Sequence, residues 1–286
     1  MTLEIGGALV LIGAGKMGSA LLAGWLDRGL DPKTLFVQDP DPSDELTSLA
    51  QRKHFSVGAD AAALPAAPAV IVLAIKPQIM DEVLPFLKPL VGGSTVVLSI
   101  VAGRTLAGME RHLGAGSAIV RSMPNMPASI GRGITVACAN ASVTPAQKTK
   151  CDELLQAAGC VAWTSEEAAL DPVTAVSGSG PAYVFLLAEC LEEAGVQAGL
   201  DPELARRLAR ETVSGAGELL RRSGAPASRL RKDVTSPGGT TAAALEVLMG
   251  GEDGLKQLLI RAVNAAATRS RELSSQASDT GSKVKD

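Results

Sequence analysis

The chain has 286 residues, enough for about two domains, and 46% of them are hydrophobic although only 2% are aromatic. Its 27 basic and 30 acidic residues give a formal net charge of −3 without a long run of either sign, which argues against a nucleic-acid partner or a membrane surface. The four scattered cysteines form no C-x-x-C pair, so we expect no metal site and a reducing, cytoplasmic location.

Six short apolar runs alternate with amphipathic stretches of helical length in the first half of the chain. Valine, isoleucine and leucine fill these runs continuously, which is typical of strands buried on both faces of a parallel sheet. The first run is too short to span a membrane and lacks the basic flank of a signal peptide. The alternation predicts an α/β fold in which residues 1–165 form a Rossmann-like, doubly wound parallel sheet. The runs are residues 8–12, 34–38, 70–75, 95–100, 117–121 and 134–137.

A glycine-rich turn, G-A-G-K-M-G, follows the first run and opens a helix. Gly13 permits the tight turn, Gly15 lets the backbone approach a pyrophosphate, and Gly18 allows the helix to pack closely on the strand. The amides of Lys16 and Met17 lie in the first helical turn, where free N–H groups attract phosphate. This context predicts a dinucleotide site, with a merely structural turn as the alternative.

An acidic residue follows the second run. Asp39 stands where an acid can hydrogen-bond the ribose 2′-OH of NAD and repel the extra phosphate of NADP. The same segment, Asp-Pro-Asp-Pro, is also ordinary turn chemistry. The choice between NADPH and NADH therefore stays open, with a weak expectation of NADPH because the acid could turn outward in this turn.

Three further segments follow the later strands and should face the same crevice, since ligands bind at the carboxyl ends of parallel strands. Lys76 and Pro77 end the third run, and Ala102 and Gly103 follow the fourth. Asn125 lies in a Met-Pro-Asn-Met-Pro segment that is too proline-rich for a helix. A solvated lysine, an ordinary turn and a linker are the respective alternatives to cofactor contacts.

The second half, residues 166–273, has helical patterns and no convincing strand. Pro181 fits a first helical turn, Asp201 followed by Pro202 is a strong helix start, and Gly224 stops that helix. Residues 274–286 are polar, and we expect a frayed tail there.

A second glycine-containing loop precedes a short helix at residues 233–241. It combines Ser236, Gly239, Thr240 and Thr241 at a helix N-terminus, an arrangement that can bind a small anion such as a carboxylate. Either threonine could instead simply cap the helix.

Three motifs together resemble the pyrroline-5-carboxylate reductase family. They are I-G-A-G-K-M-G at residues 12–18, V-S-G-S-G-P-A-Y at residues 176–183 and V-T-S-P-G-G-T-T at residues 234–241. The similarity runs from about residue 8 to Leu273, and the third motif is the specific one.

This resemblance implies reduction of 1-pyrroline-5-carboxylate to L-proline by hydride transfer from NADPH or NADH. It also implies a helical domain that interlocks with a second subunit, giving a homodimer, alone or within a larger ring. Ser236, Gly239 and Thr240 would hold the substrate carboxylate, and Thr241 would hydrogen-bond the ring nitrogen, beside the partner's cofactor. The chain departs from the family at Gly224-Ala225, where an acid or histidine is expected.

Two other functions fit the same domain plan. A β-hydroxyacid dehydrogenase, or another imine reductase, would share it, but the former needs a lysine that the helix at residues 183–188 lacks. A non-catalytic dinucleotide sensor would bind the cofactor without turnover, and only an assay separates it from an enzyme.

Overall fold

The computed structural model describes residues 2–60 and 63–280, which form two compact units. The first unit comprises the chain up to Gly178 together with the residues from Ala266 onward, and the second is Ser179–Ala265. The predicted boundary at residue 165 lies before this division, and the buried residues Leu170 and Ala175 belong to the first unit.

An eight-stranded sheet forms the centre of the first unit, with the strand order β3-β2-β1-β4-β5-β6-β7-β8. All neighbouring strands are parallel except β6 and β7. The four-residue strands β1, β4 and β5 are fully buried, as their continuous apolar runs predict. The strands are β1 (Leu9–Ile12), β2 (Leu35–Gln38), β3 (Ser56–Gly58), β4 (Val70–Leu73), β5 (Val96–Ser99), β6 (Ala118–Met123), β7 (Gly133–Ala139) and β8 (Gly159–Thr164).

The sheet differs from the sequence prediction on one side. Strand β7 is antiparallel to β6, although a wholly parallel sheet was expected. The connection between them, residues 124–132, is too short for the crossover that a parallel partner requires. The edge strand β3 was not predicted, because it contains no continuous apolar run. The other edge strand, β8, does contain one, C-V-A-W at residues 160–163, and it was missed.

Helices cover both faces of the sheet, so the doubly wound architecture is confirmed. Helices α1, α2 and α5 contribute to the core on one face, where Trp25 is fully buried and its Nε1 donates to the carbonyl of Leu154 at 2.9 Å. Helices α3 and α4 pack on the other face through residues such as Leu84 and Met109. The helices are α1 (Lys16–Asp27), α2 (Asp44–Lys53), α3 (Met80–Leu87), α4 (Leu106–Leu113), α5 (Pro145–Gln156) and α6 (Leu170–Val173).

The second unit is helical, as predicted. Helix α8 begins after Asp201, whose Oδ1 accepts from the N–H groups of Glu203 and Leu204, and it ends at Gly224 with φ of +63°. Helices α7 and α8 pack against each other and leave many large apolar side chains exposed. The remaining helices are α7 (Gly180–Gln197), α8 (Pro202–Ser223), α9 (Ala227–Asp233), α10 (Thr240–Leu248) and α11 (Leu255–Thr280), the last of which continues into the first unit's segment.

Residues 274–280, where the sequence predicts a frayed tail, continue α11. No glycine or proline interrupts this stretch, so nothing in the backbone chemistry stops the helix. Residues 281–286 of that predicted tail lie outside the described residues. None of the helices in the described part of the chain has the length and apolar character of a bilayer span.

Candidate active site

The glycine turn after β1 closes tightly against neighbouring strands. The N–H of Gly13 donates to the carbonyl of Gln38 at 2.8 Å, and Gly13 adopts a φ of +84°. A Cβ on Gly13 would lie 2.8 Å from the carbonyl oxygen of Ala74, and a Cβ on Gly18 would lie 2.5 Å from the carbonyl oxygen of Gly13. These two glycines therefore serve the close packing of the turn itself.

Gly15 has a different environment. It is the N-cap residue of α1 and has no side chain to accept from the N–H groups of the first turn. A Cβ on Gly15 would meet no other described atom within 4 Å, so the space above the turn is open. Lys16 is exposed there, whereas the side chain of Met17 packs against the core and leaves only its amide for a ligand. The turn fits a dinucleotide pyrophosphate.

Asp39 does not turn outward, so the reason given for the weak expectation of NADPH does not hold, and the choice between NADPH and NADH stays open. Its Oδ2 accepts from the N–H of Ala14 at 2.8 Å, and its Oδ1 accepts from the N–H of Asp41 at 3.0 Å. Its own N–H donates to the carbonyl of Gly58 at 3.0 Å. The carboxylate is thus fixed beside the glycine turn, because the turn amide is a better partner than solvent for a half-buried acid.

The segments after β4 and β5 lie at the carboxyl ends of adjacent parallel strands. Lys76 is exposed and precedes a short 3₁₀ turn that begins at Pro77. Ala102 is exposed, and Gly103 adopts a φ of +71°. The structure therefore brings these predicted residues to the same edge of the sheet as the glycine turn.

A half-buried arginine links these two segments, and the sequence reasoning missed it. Arg104 Nε donates to the carbonyl of Pro77 at 3.0 Å, and its Nη1 donates to Asp81 Oδ2 at 2.8 Å. His112 Nε2 lies 3.2 Å from Asp81 Oδ1. The position of Arg104 directly after the Ala102-Gly103 turn was a signal in the sequence. The sequence could not predict that its partner is Asp81, 23 positions away.

Asn125 has a structural contact within the protein. Its Oδ1 accepts from the N–H of Ile134 at 2.9 Å and so connects the Met-Pro-Asn-Met-Pro segment to β7. The neighbouring Met126 is 56% exposed. A role for Asn125 toward the cofactor stays a prediction.

The loop before α10 is arranged around its glycines. Gly238 adopts a φ of +69°, and the N–H of Gly239 donates to the carbonyl of Ser236 at 3.1 Å. Gly239 is the N-cap residue, so the alternative in which Thr240 or Thr241 caps the helix does not hold. Without a capping side chain, the first-turn N–H groups of α10 remain available to an anion.

The hydroxyl groups of this loop differ in exposure. Ser236 and Thr240 are exposed, whereas Thr241 is half-buried. The adjacent Thr235 donates its hydroxyl to the carbonyl of Arg231 at 2.6 Å and so serves the end of α9. At the departure from the family pattern, Gly224 ends α8 and supplies no side chain for a substrate.

The cysteines are all free thiols. Burial raises the pKa of Cys151 to about 12, with a smaller contribution from the neighbouring Asp152. Burial also raises the pKa of Cys138. Two of the four, Cys160 and Cys190, are exposed.

Two family models match the chain. A model described as pyrroline-5-carboxylate reductase dimerisation matches residues 167–273, and one described as NADP oxidoreductase coenzyme F420-dependent matches residues 8–103. The two matches cover the glycine turn in the first unit and the whole of the second unit.

Relatives and solved structures match over almost the full chain. The pyrroline-5-carboxylate reductase of Mycobacterium tuberculosis is 41% identical over 93% of this chain and 96% of its own length. The solved structure of the Coxiella burnetii enzyme of that name has a TM-score of 0.87 at 36% identity and covers 94% of this chain and 98% of its own. A Plasmodium falciparum pyrroline carboxylate reductase, solved with NADP bound, has a TM-score of 0.79 at 31% identity, covering 95% and 99%.

Proposed function

The chain belongs to the pyrroline-5-carboxylate reductase family, and from that premise we propose how its residues carry out the reaction. The protein is an NAD(P)H-dependent oxidoreductase that reduces 1-pyrroline-5-carboxylate to L-proline, the final step of proline biosynthesis. One observation carries this proposal: the chain combines two helix N-termini suited to anions. The glycine turn at the start of α1 has open space above it, and the start of α10 has no capping side chain and lies beside the hydroxyl groups of Ser236, Thr240 and Thr241.

The first unit holds the cofactor. The amides of Gly15, Lys16 and Met17 would bind the pyrophosphate, because they lie at a helix N-terminus with open space above it. Asp39 would face the adenosine ribose, and the segments after β4 and β5 would line the other half. When bound, the cofactor supplies the hydride.

The second unit holds the substrate. The exposed hydroxyl of Ser236 and the amides of Gly239 and Thr240 bind the carboxylate, assisted by the positive end of the α10 dipole. Thr241 contacts the ring nitrogen. The cyclic imine is basic enough to be protonated and then accepts hydride readily, so hydroxyl groups and orientation suffice without a strong acid.

Assembly follows from the apolar surface of the second unit. A family model for dimerisation covers this unit, and its helices expose large apolar side chains that water does not stabilise. We assign a homodimer, which could assemble further into a ring. Examples of these exposed side chains are Val184, Phe185, Leu186, Leu187, Leu204, Leu208, Leu219 and Leu220. The four free thiols support a cytoplasmic location.

Kinetics of two variants test the assignment. A hydroxyl on the ring nitrogen gains most as the planar imine becomes a tetrahedral amine, so Thr241→Ala should lower kcat by about ten- to a hundredfold, as expected for a lost hydrogen bond of roughly 1.5–3 kcal/mol. Ser236→Ala should mainly raise KM, since the carboxylate is charged equally in substrate and transition state.

Thr235→Ala is the matched control, because that hydroxyl donates to the backbone of α9. It should lower the melting temperature and leave kcat nearly unchanged. A Thr241→Ala enzyme with normal kcat would show that Thr241 is not catalytic. Cofactor binding without any reduction of pyrroline-5-carboxylate, tested with NADH and NADPH in parallel, would instead favour the sensor.

A further inference from the structure

The strand order determines which turns lie under each half of a bound dinucleotide. If the pyrophosphate lies at the start of α1, after β1, and the adenosine ribose lies by Asp39, after β2, one half of the cofactor extends to the β2 side. The nicotinamide half must then extend to the opposite side, over the ends of β4 and β5. This step rests on the proposed function.

The turns at those two strand ends are joined by one side chain. Arg104 follows the β5 turn directly, and it donates through Nε and Nη2 to the carbonyl of Pro77 in the β4 turn. Its Nη1 donates to both carboxylate oxygens of Asp81, at 2.9 and 2.8 Å, in the first turn of α3. The guanidinium therefore binds a backbone carbonyl and a carboxylate at once, which its planar fork of donors allows and a lysine cannot match.

Much of this pair is shielded from solvent. The Arg104 side chain is only 12% exposed, that of Asp81 is 34% exposed, and His112 Nε2 lies 3.2 Å from Asp81 Oδ1. Arg104 and Asp81 do not belong to the apolar core on this face of the sheet. Their contacts involve the turn that begins at Pro77, at the carboxyl end of β4. A turn that is already ordered does not lose conformational freedom when a ligand binds to it.

We propose that Arg104 and Asp81 are positioning residues that hold the β4 and β5 turns in the conformation required by the nicotinamide half of the cofactor. They act through the Pro77 carbonyl and the turns themselves, without touching the reacting atoms. Their effect should therefore depend on which part of the cofactor a ligand contains.

Calorimetric titration of the full-length protein with NADPH, NADH and ADP tests this. ADP has the adenosine and pyrophosphate but not the nicotinamide, so it should bind Arg104→Met with a Kd within about twofold of the unsubstituted protein. Both dinucleotides should bind that variant about tenfold more weakly, because their binding must now order the two turns. Arg104→Lys should give an intermediate loss, since an ammonium group reaches one of the two partners.

Arg111→Met is the matched control, because Arg111 is exposed on α4 and should leave all three dissociation constants unchanged. If Arg104→Met fails to fold, Arg104→Lys and Asp81→Asn carry the same comparison. Equal weakening of ADP and the dinucleotides, or no weakening of either, would overturn the positioning role while leaving the proposed function intact. Failure of the unsubstituted protein to bind either dinucleotide would overturn both.

Discussion

Alanine at two glycines of the turn after β1 should have two different effects, a loss of stability at Gly13 and a loss of cofactor binding at Gly15. Gly13→Ala places a Cβ 2.8 Å from the carbonyl oxygen of Ala74 and 2.9 Å from a methyl carbon of Ile75, at a φ of +84°. The left-handed backbone costs about 1–2 kcal/mol for alanine, and overpacking adds about 1–3 kcal/mol. The free energy of unfolding should fall by roughly 2–5 kcal/mol, which lowers the melting temperature by about 5–15 °C.

Gly15→Ala places its Cβ in open space at a φ of −64°. Alanine is a poorer N-cap residue than glycine, so we expect a stability loss below about 1 kcal/mol. The same methyl group occupies the space where the pyrophosphate would approach the backbone, and Gly15→Val fills it further. Both Gly15 variants should lose NADPH and NADH binding while they keep their fold.

Thermal unfolding followed by circular dichroism, and calorimetric titration on the same preparations, separate the two effects. Normal dinucleotide affinity in Gly15→Val would refute the cofactor assignment of this turn. A Gly13→Ala protein that melts at the original temperature would show that the contacts with Ala74 and Ile75 relax without cost.

Four further predictions concern cofactor choice, thiol reactivity, alkaline stability and assembly. Asp39→Ser should raise the ratio of kcat/KM with NADPH to kcat/KM with NADH by more than about tenfold, because the fixed carboxylate would repel a 2′-phosphate. An unchanged ratio would show that Asp39 only supports the turn. Iodoacetamide at pH 8 should alkylate Cys160 in the folded protein and Cys151 only after denaturation, and labelling of native Cys151 would contradict its burial. Burial raises the pKa of Cys151 from 9.0 to about 12, so the stability that the protonated thiol contributes is complete below pH 9 and is lost as the pH rises toward 12. The melting temperature should therefore fall over this pH range, and it should fall less in Cys151→Ala. Light scattering at micromolar concentration should give at least the dimer mass, and a monomer would contradict the assembly.

The buried strands and helix boundaries could be predicted because their signals are local. The apolar run of β1 and the pair Asp201 and Pro202 each specify an element within a few residues. Strand β3 could not be predicted, because Ser-Val-Gly has no apolar run and its pairing with β2 is not visible in the sequence, whereas the apolar run of β8 at residues 160–163 was simply missed. The direction of β7 follows from a short connection, which a search for apolar runs ignores.

The local geometry of the glycine turn was predictable, because it depends on consecutive residues. Gly13, Gly15 and Gly18 each have the environment that the motif implies. The orientation of Asp39 and the pairing of Arg104 with Asp81 depend on contacts across 25 and 23 positions, which one sequence does not reveal. The contact of Asn125 Oδ1 with the N–H of Ile134 was likewise not visible in the sequence, because it joins two segments nine positions apart.

The return of the C-terminal segment to the first unit has a consequence for synthesis on the ribosome. Ser270 Oγ donates to Asp171 Oδ1 at 2.7 Å across 99 positions, and a Cβ on Gly103 would lie 3.8 Å from the Cβ of Leu273. The nascent sheet domain therefore lacks this partner beside the β5 turn until α11 has been synthesised. A messenger truncated after α10 would encode a protein that keeps the glycine turn but lacks the packing of α11 beside Gly103. Its dinucleotide domain would be incompletely packed and would be recognised by cellular quality control.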